Sequence, residues 1–131
     1  MPENLKPFSE ERPLSTEETD LVRWLLQHGI PGIETATFLA QLDQARVVSL
    51  CPCGCAGVDF AIAGQSAPAG TGLRVLSDYE WDSDDRAKFG VFVFAKADRL
   101  AGLEVWSVDG LAAANSLPKI NALREMRGGG E

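Results

Sequence analysis

Apolar and polar residues alternate with two different periods along this chain, and the change falls near residue 45. Upstream of it the spacing is helical. Leu21, Trp24, Leu25 and His28 share one face, which predicts a helix over 16–28. Its start is marked by Ser15-Thr16-Glu17-Glu18, where Ser15 can cap the Glu18 amide and Glu18 can reach back to the Ser15 amide. Glu17, Glu18 and Asp20 also sit at the positive end of the helix dipole. Gly29 suits a left-handed cap, and Pro31 prevents continuation. A second helix is predicted over 34–44. Ile33, Ala36, Leu39 and Leu42 mark one side with Phe38 nearby, while Thr35 and Thr37 weaken it.

After Ala45 the period becomes two. Arg46–Leu50 is rich in β-branched residues, and Val58, Phe60 and Ile62 alternate with Asp59 and Ala61. A loop follows over 64–72. Leu73, Val75, Ser77, Tyr79 and Trp81 then alternate with Arg74, Leu76, Asp78 and Glu80, and 82–85 reads as a polar turn. The stretch 89–97 is apolar on both faces, as a central strand covered on two sides should be. A last strand is expected over 103–108, with a turn at Asp109-Gly110 and a short helix near 118–126. Residues 1–14, with Pro2, Pro7 and Pro13, read as an extended arm, and 127–131 as a flexible tail. Helices followed by a run of strands with short connections predict an α+β domain. In it, two N-terminal helices pack on one face of a largely antiparallel sheet of about five strands.

Composition narrows the function classes. The 131 residues suit one domain, and 45% apolar with 24% charged content is ordinary for a folded one. Nineteen acidic against twelve basic residues leave a formal charge of -7. Such a surface repels phosphate backbones and attracts basic proteins, so the expected partner is a basic protein and not nucleic acid. No stretch reaches the length of a membrane helix, and the opening residues hold no apolar run. A cytoplasmic location is therefore expected.

Three cysteines crowd into Cys51-Pro52-Cys53-Gly54-Cys55. Their thiolates are soft ligands suited to zinc, with His28, Asp59 or a water as a fourth ligand. Zinc signatures normally pair two separated knuckles, and no second cysteine pair exists. The plainer reading is a strand-to-strand turn at Pro52 and Gly54, with Cys51 and Cys55 packed as small hydrophobes. A reactive thiol or a Cys51–Cys55 disulfide is the third alternative. The only histidine, His28, lies at the end of the first helix, where the dipole favours a cation.

The second cluster is acidic: Asp78, Glu80, Asp82, Asp84 and Asp85. Alternation places the first three on one sheet face, where they can meet a basic partner or a divalent cation, or simply solvate a hairpin tip. Gly70-Thr71-Gly72 leads into a strand, so it is not a phosphate loop. Trp24, Trp81 and Trp106 suit the core, and the latter two can also face a partner.

Two segments carry a resemblance. Arg12-Pro13-Leu14-Ser15-Thr16-Glu17-Glu18, followed by Leu25-Leu26 and Gly29, resembles the opening of domains of unknown function in short bacterial proteins. Cys51-Pro52-Cys53-Gly54-Cys55-Ala56-Gly57-Val58-Asp59-Phe60, with Leu103-Glu104-Val105-Trp106-Ser107-Val108-Asp109-Gly110, is similar to a second such group. Small acidic α+β proteins of this kind resemble toxin-immunity proteins, which implies a non-catalytic role in binding protein. No catalytic motif competes with that expectation. The alternative is a metal-binding or redox role for Cys51, Cys53 and Cys55.

Overall fold

The computed structural model describes residues 12–50, 57–65, 72–82, 87–108 and 116–125. Two helices, α1 (Thr16–Gln27) and α2 (Thr35–Leu42), precede most of the strands. The strands are β1 (Arg12–Pro13), β2 (Ala45–Leu50), β3 (Val58–Ile62), β4 (Leu73–Asp82), β5 (Lys88–Lys96), β6 (Arg99–Ser107) and β7 (Arg124–Glu125). They form one sheet in the order β1-β2-β3-β6-β5-β4-β7, antiparallel throughout. The α+β class and the N-terminal helices thus agree with the pattern of the sequence. The sheet is larger than the five strands expected, because a two-residue strand is added at each edge.

Helix α1 begins as its sequence dictates, with both halves of the Ser15–Glu18 capping box formed. Its buried face is Leu21, Val22, Leu25 and Leu26 together with Glu18, while Trp24 is half-buried and His28 exposed. Gly29 is required for a different reason than expected. Its φ is not left-handed. Instead, a Cβ there would lie 2.6 Å from the Leu76 carbonyl oxygen, and the Ile30 amide donates to that same oxygen at 2.9 Å. The glycine lets the end of α1 lie against the outer edge of β4. In α2 the deepest residue is Phe38, with Leu42 one turn on, while Ala36 faces solvent.

The helices pack on one face of the sheet, α1 over β4 and β5 and α2 over β6. That face supplies Val47, Val58, Phe60, Ile62, Phe89, Val91, Val93, Ala95, Leu100, Leu103 and Val105 to the core. Strand β4 departs from simple alternation. A bulge between Val75 and Ser77 turns Leu76 fully into the core and leaves Leu73 half exposed. Trp81 packs in the core on Phe89, ring centres 5.2 Å apart.

Two further expectations are corrected. The last long strand starts at Arg99, not at 103, so β5 and β6 are joined by the tight turn Ala97-Asp98. The helix expected over 118–126 is instead a single 3-10 turn, Ile120–Ala122, followed by β7. Leu117, Ile120 and Leu123, three residues apart, pack on the core, which suits the tighter spacing of that turn. Arg124 is then drawn out along β4 by two carboxylates.

Candidate functional site

Tyr79 and Trp81 belong to the helix-facing core, so Asp78, Glu80 and Asp82 project from the opposite face of β4. The one-face arrangement expected for these three acids is present, but their surroundings differ from one another. Glu80 is 7% exposed, and its Oε2 accepts from Arg124 Nε at 3.0 Å. Asp82 is exposed, and its Oδ1 accepts from Arg124 Nη2 at 3.0 Å, with Lys88 Nζ at 3.9 Å. The guanidinium hydrogen bond holds the Asp82 carboxyl below its usual range. Asp84 and Asp85 lie outside the described residues.

Asp78 is set differently. Burial, and then the charge of Glu80, push its carboxyl above the usual range. Its Oδ1 is shielded from solvent with no hydrogen-bond partner. Across the sheet Asp78 pairs with Phe92 on β5, and Phe92 pairs with Glu104 on β6. Glu104 is likewise raised, by burial first and by the neighbouring Asp59 second. One cross-strand row therefore reads carboxyl, phenyl ring, carboxyl.

Aromatic rings flank this row. Phe94 lies 5.8 Å from Phe92 between ring centres. A Cβ at Gly102 would meet the Phe94 ring at 2.5 Å, and one at Gly90 would meet the Trp106 indole nitrogen at 2.6 Å. Each glycine lets a ring lie down on the neighbouring strand. Trp106 Nε1, like Asp78 Oδ1, is shielded without a partner. Buried polar atoms in native proteins are nearly all hydrogen-bonded, so two orphans on one face are a notable exception.

Asp78, Glu80 and Asp82 were legible as candidates in the sequence, and Trp106 as a ring able to face a partner; Phe92, Glu104 and Arg124 were not. The available signal for the first two is that Phe92 and Glu104 occupy the strand positions opposite to the core-facing valines. Arg124 had no signal, because its position depends on the chain leaving helical geometry at Leu123.

The other candidates fall elsewhere. Cys51, Cys53 and Cys55 lie outside the described residues. Among the described residues no three His, Cys, Asp or Glu side chains gather to hold a metal ion. His28, offered above as a fourth zinc ligand, caps α1. Its ring stacks on Trp24 at 4.1 Å, and its Nδ1 lies 2.8 Å from the Trp24 carbonyl oxygen. That contact places the ring proton on Nδ1, since a carbonyl only accepts. Tyr79 Oη donates to the His28 carbonyl at 2.9 Å, tying this helix end to β4. No described helix is long and apolar enough to cross a membrane. Compared with protein-family models, curated proteins and solved structures, the chain matches none of them.

The raised carboxyls have a thermodynamic consequence. A carboxyl whose folded value exceeds its unfolded one favours the fold when protonated. Its contribution is fully present below the ordinary carboxylate range and is lost as pH rises through the raised value. At neutral pH, Asp78 and Glu104 therefore cost stability. Asp78→Asn is expected to stabilise the fold at pH 7, by less than about 1 kcal/mol once solvent screening is allowed for, and so to raise the melting temperature slightly. The gain should shrink as pH falls towards 4. A melt series that shows destabilisation at pH 7 would contradict this account of Asp78.

Proposed function

We propose that the protein is a non-catalytic protein-binding module, immunity-like or regulatory, whose sheet face opposite the helices docks on a basic protein surface. The observation that carries this reading is the row Asp78–Phe92–Glu104, two carboxyls held above their usual range on either side of a ring. Such a row costs the free protein stability, and a cationic side chain laid over Phe92 would relieve it. Positive charge restores the favourable ionised state of both carboxyls, and a cation over a ring face gains roughly 0.5–2 kcal/mol. The -7 formal charge supports the same partner class through long-range attraction.

The test uses the full chain and an arginine-rich peptide without acidic residues, followed by fluorescence anisotropy at low and physiological salt. Asp78→Lys and Glu104→Lys should each weaken binding about tenfold, as truncation of close interfacial charge pairs does. Asp43→Lys makes the same charge change at an exposed position at the end of α2. It should cost much less. Equal losses at all three positions would mean that the peptide senses net charge alone, and the docking reading would fail.

A further inference from the structure

We propose that Arg124 is a built-in competitor of the docking face, a guanidinium of the chain itself that holds Glu80 and Asp82 until an arginine-bearing partner displaces it. The inference rests on the docking reading above and adds its regulation and the preferred cation.

Arg124 engages its two carboxylates through Nε and Nη2, both at 3.0 Å. A partner's arginine would use the same planar fork, which lysine lacks. The acidic row of β4 is thereby divided: Glu80 and Asp82 are taken by the chain's own cation, while Asp78 keeps an oxygen without a hydrogen bond. The backbone pairing that seats Arg124 is short. Among the described residues, strand β7 pairs with Tyr79 and Glu80, two of the ten residues of β4. The Arg124 side chain is 41% exposed, and so is not sealed in. The pair with Asp82 is exposed on both sides, while the pair with Glu80 is buried on the carboxylate side, so Arg124 can leave only in exchange for an equivalent cation.

Release would not lose the segment. Leu117, Ile120 and Leu123 pack on the core just upstream and tether Arg124 close to its seat. A tethered group competes at a high effective concentration, so a weak intrinsic contact still occupies its site most of the time. The apparent affinity of a partner is reduced by the fraction of molecules in which the face is open. If Arg124 holds the face closed in nine molecules of ten, its removal raises affinity about tenfold.

The experiment measures the same arginine-rich peptide against the full chain carrying Arg124→Gln, Arg124→Lys or Arg23→Gln. Arg23 is an exposed arginine paired with Asp20 on α1, so its replacement reports the effect of one lost positive charge anywhere. Arg124→Gln should tighten binding about fivefold to tenfold, well beyond Arg23→Gln, with Arg124→Lys between them. A gain no larger than that of Arg23→Gln, or a loss of affinity, overturns the competitor. Hydrogen exchange on the wild type gives a second readout that needs no variant. Saturating peptide should speed exchange at whichever of the Arg124 and Glu125 amides is bonded to β4, since neighbouring amides of an antiparallel strand point to opposite sides, and unchanged or slower exchange there overturns the proposal. Failure of the docking reading looks different, because wild type and Asp78→Lys would then bind the peptide alike whatever stands at position 124.

Discussion

Truncation of Phe38 to alanine is expected to lower the free energy of unfolding by about 3–5 kcal/mol, the usual range for a fully buried phenylalanine. Phe38 is 1% exposed and is the largest side chain that α2 inserts between the sheet and α1. The helix has only eight residues, and its N-cap, Glu34, makes no side-chain capping bond. A helix this short does not persist alone in water, so packing has to hold it. Besides Phe38, Leu42 and the partly buried Leu39, Gln41 anchors it. That side chain accepts from the Leu100 amide at 2.6 Å and donates to the Asp98 carbonyl at 3.0 Å, gripping the β5–β6 turn. Loss of the ring leaves a cavity under a helix that has little else to hold it. Urea unfolding of the variant gives the number directly. A loss under about 1 kcal/mol would mean that the site collapses freely and that α2 is not held by its core residue.

Replacing Glu18 with alanine is expected to cost about 2–3 kcal/mol at neutral pH, as loss of a buried hydrogen-bonded charge does. Glu18 is 7% exposed. Its Oε1 accepts from the Ser15 amide at 2.8 Å and from Arg12 Nη1 at 2.9 Å, and its Oε2 accepts from Arg12 Nη2 at 2.9 Å. One carboxylate thus caps α1 and fastens the β1 edge strand. Burial alone would push this carboxyl up, but the Arg12 fork and the Ser15 amide outweigh it and hold it below the usual glutamate range. The sign for a depressed carboxyl is opposite to that of Asp78. Its stabilisation is present above the unfolded value and is lost as pH falls through the folded one. The difference in melting temperature between wild type and Glu18→Gln should therefore be largest near neutral pH and close in acid. A difference that stays constant or widens below pH 4 would show that the charge of Glu18 does not stabilise the fold.

These two residues were not equally legible. Glu18 was recognisable from four adjacent letters, because a capping box is a local device with a fixed offset. Phe38 was harder to place. The periodic side of α2 was drawn through Ile33, Ala36, Leu39 and Leu42 with Phe38 nearby, and the helix buries Phe38 and Leu42 most deeply, packs Ile33 and Leu39 at the core's margin and leaves Ala36 exposed. Eight residues make barely two turns, and the buried direction of so short a helix is set by the sheet beneath it. The same contrast holds at the candidate face. That Asp78, Glu80 and Asp82 share a side follows from strand alternation. That Asp78 stands beside Phe92 and Glu104, while the other two belong to Arg124, depends on pairing with β5, β6 and β7.

From the amino-acid order alone came the α+β class, the start of α1, the five long strands, the surplus of acid and the shared side of three carboxylates. All of these rest on interactions or periods within a few residues. Tertiary structure decided the sheet order, the bulge that buries Leu76, the reason for glycine at position 29 and the change from helix to strand before Arg124. It also decided which carboxylates find a cation. Each of these depends on atoms that are distant in sequence and meet only when the sheet forms. The charge on a carboxylate is written in its residue type, but its free energy is set by the neighbours that folding brings to it.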